Sequence, residues 1–169
     1  GYTNYRAYKP WLRDEFTFRC VYCLARERWY PNGHEDFSVD HLIPRSAAPD
    51  EACDYDNLVY ACQSCNRNRQ DAELPIDPGR APLAAHLRVA NDGTIQALTR
   101  EGRWLERTCH LNRPLLVSFR KRVLGLIEFL TARGHSDDES MLHELLGFPD
   151  NLPDLGTKRA PAGNARPEG

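Results

Sequence analysis

Long apolar runs are missing from this chain of 169 residues. The best stretch, residues 115–130, is broken by Arg120, Lys121 and Arg122, and so falls short of the roughly 18 apolar residues that a membrane span requires. A secretory leader is not evident either, because residues 1–10 are polar and aromatic. No internal repeat is visible, and glycine lacks the periodicity of a collagen. Lysine is scarce, at three residues against 19 arginines. Net charge is low, at −2, so there is no overall bias toward a polyanion. With 41% hydrophobic and 27% charged residues, the composition suits a globular domain, or a small domain with an appendage. These absences exclude a membrane protein, a fibrous chain and a wholly disordered one.

The charge that is present is unevenly placed. Residues 134–169 sum to −4 and residues 1–133 to +2, and within the latter residues 100–122 reach +5. Arginine is the better bidentate ligand for phosphate. The distribution permits a polyanion partner without demanding one, and the 100–122 cluster reads equally well as a solvated face or a groove-binding surface.

Cysteine carries the clearest signal. Four of the six cysteines form two Cys-x-x-Cys pairs, Cys20/Cys23 and Cys62/Cys65. Each pair can put two thiolates on one ion, and two pairs complete a tetrahedral zinc site. A disulfide framework would suit a small secreted domain that cannot build its own core, and a redox motif would leave one pair unexplained. Structural zinc uses all four. Cys53 and Cys109 stand outside this scheme.

Along the chain, residues 10–16 read as a short helix and residues 18–22 as a strand entering the first knuckle. Residues 37–43 alternate as a strand stopped by Pro44, and residues 58–61 form a second strand leading into a helical turn over 66–72. A proline-rich boundary comes next, near residue 80. Beyond it the pattern predicts a hairpin over 86–98, a third strand over 103–110, an amphipathic helix over 114–133 and a capping box at Ser136 opening a last helix to Leu146. The expected division is 1–80, 81–148 and a flexible tail over 149–169.

The polar residues between the knuckles form the candidate site. Asp40 and His41 are consecutive on a strand and point to opposite faces, so the carboxylate can hold a metal while the imidazole meets a substrate. Asn66 directly succeeds a cysteine ligand and offers an amide oxygen to complete a hard-cation site with Asp40, favouring Mg²⁺ or Mn²⁺. Arg45, Arg67 and Arg69 are candidate phosphate ligands, with Arg69 the best placed. His34 is the competing base, although Gly33 beside it suggests a loop tip.

The series Cys-x-x-Cys, Asp40-His41-x-x-Pro44, Asn57-Leu58-Val59 and Cys62-x-x-Cys65-Asn66-x-x-Arg69 resembles the HNH endonuclease family, built on the ββα-metal finger, over residues 18–72. The resemblance implies an α+β fold: a finger stabilised by a four-cysteine zinc site, with a hairpin and helical region after it in this chain. It places the catalytic histidine on His41, the middle asparagine on Asn57 and the third position on Asn66, where many members carry histidine. The basic residue three positions later is commonly lysine and is Arg69 here. The implied activity is metal-dependent hydrolysis of DNA, most naturally double-stranded, leaving 5′-phosphate and 3′-hydroxyl ends. Asn57 is expected to brace the loop that carries His41 rather than to touch phosphate. The segment after residue 92 is similar to the region C-terminal to the finger in small bacterial HNH proteins, several of which act against foreign DNA. That implies a bacterial, cytoplasmic setting and a larger protein or ribonucleoprotein partner supplying specificity. The competing readings are a zinc-stabilised binding or assembly module that does not cut, and an RNA-directed nuclease.

Overall fold

The computed structural model describes residues 2–78 and 81–152. Helix α1 (Lys9–Glu15) starts with Pro10 in its first turn, a position where the missing N–H costs nothing. The first knuckle is a tight loop closed by a single bridge between Arg19 and Arg26, in place of the strand expected over 18–22. Leu24, just past Cys23, has φ +60°, the left-handed turn that brings the chain back on itself.

Strands β1 (Phe37–His41) and β2 (Leu58–Cys62) pair antiparallel, with Asp40 opposite Val59 and His41 opposite Leu58. All five β2 residues are buried, because α1 and the next helix, α2 (Gln63–Arg69), both pack on this two-stranded sheet. The Cys62 sulfur accepts a hydrogen bond from the Cys65 N–H at the start of α2, so a knuckle cysteine also caps the helix.

A second hairpin, β3 (Leu87–Val89) and β4 (Ile95–Ala97), lies within the predicted span. The expected third strand is instead helix α3 (Arg100–Thr108), capped by the Thr99 hydroxyl on the Gly102 N–H. Leu105 and Cys109 point inward one helical turn apart. Helix α4 (Pro114–Arg133) has the predicted bounds. Its apolar stripe is only partly used: Leu116 and Leu130 are buried, whereas Leu115 and Phe129 are 84% and 55% exposed. The fully buried Arg120 donates to the carbonyls of Gly93 and Leu111, at 2.6 Å each, and ties α4 to the hairpin. Gly93, at φ +86°, is required there because a Cβ would collide with the Val117 carbonyl.

Helix α5 (Ser136–Leu146) begins at His135 with no side-chain cap, so the capping box expected at Ser136 does not form. Its C-terminal carbonyls are satisfied by the first knuckle: Arg26 donates to Leu146 O (2.8 Å), Arg28 to His143 O (3.2 Å) and the Trp29 indole to Leu145 O (2.9 Å). One hydrophobic cluster runs from Tyr8 through Tyr60 to Leu87, Leu105 and Leu116. The change of texture near residue 80 therefore does not separate two cores. Residues 153–169 of the expected tail lie outside the described residues, and Asn151 near its start accepts from Arg13 at 2.6 Å.

Beneath β2 lies a buried ion pair. Arg13 on α1 forks onto Glu27 (3.1 and 2.7 Å), and the Tyr60 hydroxyl donates to the same carboxylate at 2.7 Å. Both charged side chains are almost wholly enclosed. Removing one partner leaves the other charge buried alone, which costs about 3–5 kcal/mol. Glu27→Ala is therefore expected to lose about that much stability in urea denaturation, while Arg28→Ala, at the partly exposed pair with Asp150, is expected to lose about 1 kcal/mol or less. Equal losses would show that the buried fork contributes nothing special.

Candidate active site and zinc centre

The four knuckle sulfurs lie within 4.8 Å of one another, and all four cysteines are buried. Cys23 and Cys62 Sγ are 3.9 Å apart. Four zinc–sulfur bonds of about 2.3 Å in a tetrahedron place sulfurs about 3.8 Å apart, so the donor set fits zinc. Burial raises the Cys20 thiol, whereas hydrogen bonds from Cys20, Cys23 and Cys65 pull the Cys62 thiol down. Cys53 and Cys109 lie outside this cluster, as expected.

Tyr22 sits inside the first knuckle, between its two cysteines, and carries the cluster's position into the active site. Its hydroxyl donates to Asp40 Oδ2 at 2.7 Å. Arg69, on the last turn of α2, forks onto the same carboxylate, Nε to Oδ2 at 3.1 Å and Nη2 to Oδ1 at 3.0 Å. The His41 N–H fills the remaining acceptor site on Oδ1, at 2.8 Å. Arg69 spends its other N–H groups on the carbonyls of His41, Leu42 and Ala72. All five guanidinium donors are used, and the side chain is 1% exposed.

This overturns the reading of Arg69 as a phosphate ligand. It is an internal brace that fixes the end of β1 and the loop beyond it. Asp40 changes with it, since four donors saturate its oxygens and a divalent ion would have to displace one of them. The expected Asp40–Asn66 pair is therefore not an open oxygen site for Mg²⁺ or Mn²⁺. Asn66 does border the same cleft, with Nδ2 donating to Ser38 Oγ at 2.9 Å. Asn68 turns away and donates to Ser64 O in its own helix.

His41 occupies the opposite face of the strand from Asp40. Its Nε2 lies 3.0 Å from the Ala52 carbonyl, which can only accept, so Nε2 carries the proton and Nδ1 is the free acceptor. Tyr5 stands edge-on to the imidazole at 4.8 Å, and the Arg45 guanidinium lies over the Tyr5 ring. Burial lowers the His41 pKa below its usual 6.5, with the Ala52 contact and Asp40 opposing. His34 lies on the turn Gly33–Asp36 before β1, at the other end of a strand about 13 Å long.

Asn57 is a loop brace, buried and bonded in both directions. Its Oδ1 accepts from Ile43 N at 2.7 Å, and its Nδ2 donates to the carbonyls of Ile43 (3.1 Å) and Glu51 (3.3 Å). These bonds hold both arms of the loop that carries Ala52 to His41. An open cleft of about 420 Å³ is lined by His41, Arg45, Asn66 and Arg67 together with Tyr5 and Asp71. Arg45 and Arg67 are exposed. Sequence reasoning does not single out Tyr5, Tyr22 or Ala52; of the three, only Tyr22, enclosed by the Cys-x-x-Cys pair, carries a readable signal.

Metal analysis of the purified chain is expected to give about one zinc per molecule that resists mild chelation, and Cys62→Ser is expected to abolish both zinc and folding, because zinc of this type contributes folding energy outright. A folded chain with the four thiols oxidised and no zinc would overturn the assignment.

No curated protein matches the chain. Residues 20–72 match the family described as HNH endonuclease, a span that opens on the first zinc-candidate cysteine and closes just past α2. That segment contains β1, β2, α2 and both knuckles in the order the family resemblance implies, so the match of residues 20–72 to an HNH endonuclease domain is consistent with a ββα-metal finger.

Proposed function

We propose that the chain is a DNA endonuclease in which His41 is the general base. The observation that supports this most directly is the Nε2 contact to Ala52, which leaves a neutral imidazole with its Nδ1 lone pair unassigned beside an arginine-lined cleft. Nδ1 takes a proton from water as the water oxygen attacks phosphorus; the bond to the 3′ oxygen breaks, and the departing oxygen takes a proton from solvent water. A positioned general base contributes about 10²–10⁴-fold to such a step. Arg45 and Arg67, exposed at the cleft, bind phosphate oxygens. Asn57 and Arg69 act through the main chain around His41, and Asp40 through Arg69. The Mg²⁺ or Mn²⁺ expected on Asp40 and Asn66 finds the Asp40 carboxylate already engaged by four donors, so no step is assigned to it. The role against foreign DNA rests on the downstream resemblance alone.

The engagement of Asp40 with Arg69 favours one other reading, a finger that grips nucleic acid without cutting it. Plasmid nicking, with and without added Mg²⁺ or Mn²⁺, separates the two, and an RNA substrate run in parallel tests the choice of sugar. His41→Ala is expected to lose at least about 10²-fold in rate with DNA affinity nearly unchanged, since a general base acts on the transition state. Full activity in that variant sinks the assignment.

The pH profile provides a second check. The base works only when neutral, and burial lowers its pKa, so activity is expected to be flat above pH 6.5 and to fall with unit slope below the depressed value. A midpoint above 7 contradicts His41 as the base. Asn57→Ala leaves the Ile43 N–H unpaired in the interior and is expected to cost about 1–3 kcal/mol of stability, together with activity.

A further inference from the structure

Helix α3 has an unneutralised arginine face. Arg100, Arg103 and Arg107 are exposed, and their spacing places them on one side over about 10 Å of helix. Among the described residues none of the three has a hydrogen-bond or ion-pair partner. Of the two acids of the helix, Glu106 accepts from the Asn112 amide at 2.9 Å, and Glu101 bonds first to its own backbone N–H, with Arg100 only a minor charge partner. Arg100 also lies at the positive end of the helix dipole, and Arg103 and Arg107 repel at one-turn spacing. A polyanion relieves both costs.

The three arginines frame a shallow depression shared with Trp104 and Thr108. Beyond the helix, Cys109 is buried in the same cluster as Cys62 and Cys65. Four residues further on, the Arg113 guanidinium donates to Ser64 Oγ on α2 at 2.6 Å, so the helix ends against the finger.

We propose that this face of α3 grips the sugar-phosphate backbone of a nucleic acid beside the finger's cleft, with the guanidiniums on successive phosphates and the Trp104 indole against a sugar or an unpaired base. The inference rests on the proposed nuclease activity and extends it to a second contact surface. Arginine suits this task because its fork binds phosphate bidentately.

The test is fluorescence anisotropy of the intact chain with a labelled duplex, and with a single strand of the same length, across a salt series without added divalent ions. Each phosphate contact contributes about 0.9 to the slope of log affinity against log salt for a duplex. The triple variant Arg100→Gln/Arg103→Gln/Arg107→Gln is expected to flatten that slope by about 2–3 and to weaken binding by about tenfold or more. With a divalent ion present, its kcat/KM for plasmid cutting should fall alongside the affinity. Lys121→Gln/Arg122→Gln, which removes exposed charge from α4, is the control. An unchanged slope in the triple variant, or an equal loss per charge in the control, overturns the proposal. A wild-type chain that binds DNA through α3 yet never cuts would overturn the nuclease reading and leave this surface standing. A larger loss on the duplex assigns the grip to paired backbone, and a larger loss on the single strand assigns it to unpaired backbone.

Discussion

The convergence of four sulfurs on one point is the constraint that organises the rest of the finger. It draws the loop at Cys20–Cys23 onto the junction of β2 and α2, two places some 40 residues apart in the chain. Tyr22 is carried along by the first pair and reaches Asp40, and Arg69 is delivered to the same carboxylate by the helix that the second pair opens. With Asp40 fixed from both sides, the end of β1 cannot shift, and His41 is presented to the cleft. The four-cysteine cluster in this way sets the position of His41 at a distance. The coupling passes through one tyrosine and one arginine.

Much of this is legible in the sequence because the relevant signals are local. Two Cys-x-x-Cys pairs announce a metal site by ligand count alone, and Asp40-His41 before Pro44 marks the end of a strand. The long helix over Pro114–Arg133 is readable to the residue from its period and its flanking proline and glycine. The illegible parts depend on tertiary partners. Nothing in the letters of Arg69 distinguishes a buried brace from a surface cation; only Tyr22 and Asp40 in space decide it. Helix α3 is misread as a strand although the Thr99 cap and the Leu105–Cys109 spacing point to a helix. Trp29 and Arg26 give no hint that they complete a helix end more than 100 residues away.

Charge inside this small domain is handled by enclosure in forks rather than by exposure. Arg13 with Glu27 and Arg69 with Asp40 each add a tyrosine hydroxyl, from Tyr60 and Tyr22, so the carboxylate acceptors are satisfied. Buried pairs of this kind are weak as net stabilisers but severe against misplacement, because either partner alone in the interior is intolerable. They therefore fix which helix meets which strand more firmly than apolar packing would.

The bonds that set the His41 loop end almost entirely on main-chain atoms. His41 reaches the Ala52 carbonyl, Asn57 binds Ile43 and Glu51 through their peptide groups, and Arg69 takes the carbonyls of His41, Leu42 and Ala72. Every polypeptide supplies those atoms whatever its side chains. Apart from Arg45 at the cleft and Tyr55 in the core, the stretch between His41 and Asn57 is thus constrained in length more than in side chain. One residue more or less would move Ala52 off the imidazole, so the length of this loop is set by the geometry of His41.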